Sequence, residues 1–244
     1  TTPQPSAAST CRDPRNRWSD LGPHKNTGVH HRMKPAAGTA VLTSLLCLVP
    51  ILLGLLLWDQ LPDQLITHWN SAGEPDGYSP KAFGIVALPL VMCCLNLFVY
   101  CMLRIDPRIE NASGTLVLLS QWFIPILTLI LVPAMLFASM GADVPVHAIA
   151  PVLLGIFFII IGRYLPETKQ NYTVGVRLPW TLRSGENWNR THRLSGYLWI
   201  CAGVLLILAA FLPPLWFLPV MITALILAVV GPVLYSYRLY KKGV

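Results

Sequence analysis

Two stretches of this chain are dense in residue types that bind or react. The first, residues 163–196, reads RYLPETKQNYTVGVRLPWTLRSGENWNRTHRLSG. Asn171, Gly175, Arg177, Pro179, Trp180 and Thr181 form a tight run with the makings of a structured turn, since Gly accepts positive φ and Pro presets its own. Ser184 is placed to cap a helix beginning near Glu186. On that helix Trp188, His192 and Ser195, spaced i, i+4, i+7, share one face. Arg190 and Arg193 project elsewhere, towards phosphate headgroups. The plainer reading is an interfacial helix leading into a membrane span, with Trp as anchor and Arg as lipid clamp. The functional reading is a docking platform for a partner.

The second stretch, residues 59–81, reads DQLPDQLITHWNSAGEPDGYSPK. Pro75-Asp76-Gly77 is a turn signal. Leu61, Leu65 and Trp69 recur at helical spacing, which predicts a short amphipathic segment lying on the membrane surface. His68 could serve a metal or a catalytic site; the plainer reading is a loop histidine hydrogen-bonded to its neighbours. Asp59, Asp63, Glu74 and Asp76 give the loop an acidic face, solvated or attractive to a cationic partner. Neither stretch offers an HExxH pair or a serine in a glycine elbow, and no span holds a carboxylate pair. The expectation is therefore no enzyme, with no catalytic residue, no metal and no cofactor.

The elements that must position these stretches are membrane spans. The chain has 244 residues, of which 54% are hydrophobic and only 12% charged, about half the charged fraction of a soluble domain. Apolar runs near 38–58, 82–103, 116–140, 146–164, 197–212 and 215–237 each approach the ~20 residues that a spanning helix needs. Of the 18 Lys and Arg residues, only Lys81 falls on one side of this arrangement and the other 17 on the opposite side. The positive-inside rule then places both termini and the 163–196 loop in the cytoplasm and 59–81 outside. The net charge of +7 reads as this bias and as attraction to lipid headgroups, with no direct nucleic-acid partner. The expected fold is an all-α membrane protein of about six transmembrane helices, in a bacterial plasma membrane.

Residues 1–37 read as a disordered basic segment, polar over 1–32 and rich in Pro, Ser, Arg and His. Met33 followed by Lys34 resembles the true start of a membrane protein, with 1–32 an upstream extension. Five of the six cysteines lie within or beside apolar runs, where Cys acts as a small hydrophobe. An N-terminal membrane domain is expected over 38–110, and a second over 111–244 that contains the 163–196 loop.

The signature Asn171-Tyr172, then Gly175, Arg177, Pro179-Trp180-Thr181-Leu182, Trp188, Thr191-His192-Arg193 and Gly196 resembles that of the SdpI family. These are immunity proteins for a sporulation-delaying killing factor. Pro62, His68, Trp69, Asn70, Gly73, Asp76, Gly77 and Lys81 are similar to a bacterial domain of unknown function that often precedes the SdpI domain. Together the resemblances cover roughly residues 40–235. They imply resistance to a secreted peptide toxin, met by the outer loop, and capture of a small winged-helix autorepressor by the cytoplasmic loop. The signature residues are then partner-binding. A small transporter or exporter is the alternative, but such a protein would normally carry ionisable groups in its spans, and these runs carry essentially none.

Overall fold

The computed structural model describes residues 35–70 and 72–244; the expectations for 1–32 and Met33 lie outside the described residues. Among the described residues, six helices are long and apolar enough to cross a membrane. They are α1 (Ala37–Leu56), α2 (Phe83–Ile105), α3 (Gly114–Ser139), α4 (Val146–Tyr164), α6 (Gly185–Ala209) and α7 (Phe217–Lys241). A five-residue helix, α5 (Pro179–Arg183), precedes α6. The expected helical membrane fold is thus observed, with one addition.

That addition replaces the amphipathic segment expected at 59–81. The chain forms an antiparallel hairpin, β1 (Gln64–Trp69) and β2 (Pro75–Pro80). Leu61 and Leu65 do not lie on a membrane surface: they are buried against Ile85 of α2 and Val132, Met135 and Leu136 of α3. The reversal is not at Pro75-Asp76-Gly77 either. Asn70 makes it, its Oδ1 accepting the N–H groups of Ala72 and Glu74 at 2.9 and 3.0 Å, while Gly73 supplies φ +82°. Pro75, Asp76 and Gly77 instead enter β2, where the register is irregular around His68 and Trp69. A strand bounded by Pro75 and Pro80 lacks ladder donors at both ends, so it is suited only to an edge.

The helix expected to begin near Glu186 is one with the fifth span: α6 starts at Gly185, twelve residues before the apolar run at 197–212. Its first three turns carry Asn187, Trp188, Thr191, His192 and Ser195, all fully buried. Hydropathy alone misses such a segment because its polar face is satisfied by protein. Ser184 caps the helix as expected, its Oγ accepting Asn187 N–H at 3.1 Å.

Helices α1, α2 and α3 pack together, with Asn96 Nδ2 donating to Thr43 Oγ1 and Ser44 Oγ at 3.0 and 3.1 Å. Such interhelical bonds contribute roughly 0.6–2 kcal/mol in a membrane. The closest helix pair is α4 with α6. Gly155 faces Gly203, and Gly162 faces Gly196: a Cβ built on any of the four would come within 2.5–2.7 Å of the facing carbonyl oxygen. Small residues at heptad spacing let the two backbones touch, which substitutes for a hydrophobic drive that lipid does not provide. Two π-helical turns, Phe83–Ala87 and Ile226–Val230, end just before Pro89 and Pro232. Widening the turn relieves the clash of each proline ring with the carbonyl four residues earlier. For Pro232 that carbonyl belongs to Ala228, and Trp199 Nε1 donates to it at 2.9 Å.

Candidate functional site

The signature loop, 165–184, closes one side of the bundle by bonding to the ends of four helices. Lys169 N–H donates to Asn111 O and Asn111 Nδ2 to Gln170 O, both at 2.8 Å, which fastens the loop just before α3. Asn171 is fully buried, and its Oδ1 accepts the N–H groups of Thr173 and Val174 at 3.0 and 2.6 Å. This is the structured turn that Asn at that position favours.

Asp106, the residue after α2, holds the next step. Its Oδ2 accepts Tyr172 N–H at 2.9 Å and Thr173 Oγ1–H at 2.8 Å, while Oδ1 accepts Arg108 N–H at 2.7 Å. The sequence pattern did not single out Asp106. The only local hint is an Asp-Pro pair where a helix ends.

Gly175 has φ +115°, and a Cβ there would collide with His192 Nε2. The close approach serves a hydrogen bond. His192 Nε2 accepts Val176 N–H at 3.0 Å, and Nδ1 donates to Trp188 O at 2.9 Å. A backbone N–H can only donate, so Nε2 carries no proton and the imidazole is neutral. Trp188 stacks on His192 with ring centroids 3.9 Å apart and donates its Nε1–H to Thr168 O at 2.7 Å. It is fully buried, so the expectation of an interfacial anchor at Trp188 is corrected. The polar groups that the neighbouring loop exposes to α6 explain why it turns inward.

Thr181 Oγ1 donates to Val176 O and accepts Leu178 N–H, both at 2.9 Å, which starts α5 at the exposed Pro179. Trp180 lies against Tyr240 and Tyr237 of α7 and donates to Ser236 Oγ at 3.1 Å. The outward-facing members are Tyr172, Arg177, Pro179 and Arg193. Arg177 Nη1 donates to Tyr172 O at 2.6 Å, and the Arg108 guanidinium lies 5.1 Å from the Tyr172 ring centre. Arg193 sits apart, over the α4–α6 seam beside Gly162 and Gly196. The signature therefore divides into an inner set bonded to the protein's own backbone and a small outward rim.

On the opposite side His68 and Asp76 pair across the hairpin, both substantially exposed. Gly77 faces His68 so closely that a Cβ would lie 2.7 Å from that of His68. Thr67, His68, Trp69 and Asn70 line a groove with His147, Pro151 and Phe217; His147 was not picked out in the sequence, and Gly73 packs against it. Lys81 Nζ donates to Trp58 O and Leu61 O at 3.1 and 3.0 Å, and it lies 5.0 Å from the Trp58 ring centre. It stabilises the carbonyl-rich end of α1. His68 and His192 lie at opposite ends of the bundle and form no common site.

Six spanning helices with a hairpin at one end and an internally bonded loop at the other define a multi-pass helical membrane protein. Residues 167–236 match the SdpI/YfhL protein family, and residues 45–93 match a domain of unknown function, DUF1648. The two resemblances read from the motifs both hold. The chain is 29% identical over 202 residues to the Immunity protein SdpI of Bacillus subtilis, which covers 83% of this chain and 96% of that protein. No solved structure matches the chain significantly.

Proposed function

We propose that this protein sits in a bacterial plasma membrane and protects the cell against a secreted peptide toxin, with the hairpin outside and the signature loop in the cytoplasm. The observation that carries the reading is that a single helix, α3, holds both. At one end Ser139 Oγ accepts Ile66 N–H of β1 at 2.9 Å, and Val132, Met135 and Leu136 pack on the hairpin. At the other end Ser113 N–H donates to Thr168 Oγ1, and Asn111 brackets 169–170. A peptide that displaces the hairpin would thus bias the loop through a continuous set of packed and bonded groups, which is what coupling between two faces requires.

The likeness to a protein named as an immunity protein supports the protective role. The finer reading is that the outward rim of Tyr172, Arg177, Pro179 and Arg193 captures a small winged-helix autorepressor, with the inner set serving to hold that rim in shape. In this reading the outer partner-contacting residues are His68, Trp69, Asn70 and Asp76, with Gly73 and Gly77 shaping the turn and the bulge. The division into membrane domains 38–110 and 111–244 belongs to the same proposal.

The test is survival of a toxin-sensitive bacterium expressing this chain, challenged with a sporulation-delaying peptide toxin, against a vector control. Protection should appear with the full chain and vanish when 64–80 are replaced by a Gly/Ser linker that leaves accumulation in the membrane intact. Equal killing of cells that carry normal amounts of the full chain would overturn the protective role.

A further inference from the structure

Behind the outward rim lies a cleft of about 390 Å³ that runs between α2, α3, α4 and α6. Val99, Met102, Leu119, Phe157, Ile161 and Trp199 line it, and the loop segment 172–177 forms its mouth. Leu119 lies five residues past the start of α3 at Gly114, and Val99 six residues before the end of α2 at Ile105. At 1.5 Å per helical residue the cleft reaches about 8–9 Å into the bundle, the depth of acyl chains.

The mouth is cationic. Arg177 lines it and spends one donor on Tyr172 O; its remaining guanidinium donors face no carboxylate among the described residues. Arg108 lies over the Tyr172 ring, and its guanidinium likewise has no ion-pair partner among the described residues. The nearby acid, Asp106, has both oxygens occupied by Arg108 N–H, Tyr172 N–H and Thr173 Oγ1–H. One guanidinium lining an apolar slot and a second over the ring of Tyr172, which also lines it, match a phosphate joined to an alkyl chain, because the planar fork of Arg binds phosphate oxygens in pairs.

We propose that this cleft seats one acyl chain of an anionic phospholipid, with its phosphate held by Arg177 and Arg108. The site goes beyond the immunity reading, with which it shares Tyr172 and Arg177, and its test reads lipid rather than survival. The bound lipid would lie against segment 172–177, whose backbone is fixed by Asp106 and His192, so it would fill the space on which the outward rim rests.

The purified full chain is relipidated in detergent with equimolar phosphatidylglycerol and phosphatidylcholine of identical acyl chains, and retained lipids are counted by native mass spectrometry. Wild type should prefer phosphatidylglycerol, and Arg177→Gln should reduce that preference about fivefold, the effect of one interfacial cation. Arg190→Gln, which removes an arginine paired with Glu186 on the same side, should leave it unchanged. Ser120→Trp, filling the cleft, should abolish retention of the tight lipid; if that variant does not accumulate, Leu119→Phe serves in its place. Equal retention of both lipids by wild type, equal losses in the two arginine variants, undiminished retention in the filled-cleft variant, or a peptide retained in place of lipid would each overturn the proposal.

Discussion

Asp106 and Thr173 are joined by a 2.8 Å hydrogen bond across 67 residues of sequence, and the same carboxylate accepts two backbone N–H groups. Hydrogen bonds to a charged group contribute about 1.5–3 kcal/mol each, so Asp106 is the strongest tie between α2 and the signature loop. Asp106→Ala should free the loop while the spans stay folded. Trypsin should then cut at Arg177 or Arg183 at least about tenfold faster than in wild type, as a loss of ~1.4 kcal/mol of local stability requires. Asp106→Asn, which keeps one acceptor oxygen, should fall between. Wild-type cleavage rates in Asp106→Ala would show that the loop is held elsewhere.

Gly175 and His192 form a second coupled pair. Alanine at 175 would sit at positive φ, a strain of about 1–3 kcal/mol, and would also push on the imidazole. His192→Ala has a different effect: it leaves Val176 N–H unpaired, which costs about 1–3 kcal/mol. In the double variant the collision is gone, so its loss of stability should be smaller than the sum of the single losses. Thermal unfolding of the four proteins in one detergent checks this, and strict additivity would rule out the contact.

The α4–α6 seam makes a third prediction. Gly203→Ala places a methyl 2.5 Å from Gly155 O, and Gly196→Ala places one 2.7 Å from Gly162 O and 2.8 Å from Pro166 Cγ. Neither backbone can yield without separating the helices. Each variant should lower the unfolding temperature by several degrees, a loss on the order of 1–3 kcal/mol. Gly114→Ala, where nothing lies within 4 Å, should leave it nearly unchanged. Similar temperatures for all three variants would mean that the seam tolerates a wider spacing than the structure has.

Much of this architecture is legible in the sequence, and the failures have physical causes. The apolar runs locate five of the six spans to within a few residues because lipid-facing surface must be apolar along its whole length. The run at 197–212 understates α6 because Trp188, His192 and Ser195 face protein, and the i, i+4, i+7 spacing that groups them carries the missing information. Leu61, Leu65 and Trp69 match a helical period, yet a stretch this short does not separate that period from a strand with one buried position. Pairing with 75–80 and burial on α3 decide the outcome, and both are long-range. Asp106 is invisible for the same reason: a lone acid after a helix reads as surface until its partners, 66 and 67 residues onward, are brought to it. Asn171 and Gly175 are legible because their roles are local, a side-chain turn and a positive φ.

The membrane orientation is the last prediction, and Lys81 strengthens it. Of the 12 basic residues among the described residues, 11 fall on the signature-loop side, and the exception is held by the fold. Lys81 binds Trp58 O and Leu61 O at the end of α1, with its side chain only 15% exposed. It therefore contributes little free positive charge to the hairpin side, and the bias that sets orientation is close to complete. Single cysteines at Ala72 and Arg183, both exposed, are introduced into a variant whose native cysteines are replaced by alanine. In intact cells an impermeant maleimide should label Ala72→Cys and spare Arg183→Cys; permeabilising the cells should make the second reactive. The opposite pattern would place the hairpin in the cytoplasm, where it could not meet a secreted peptide, and would remove the protective reading along with the orientation.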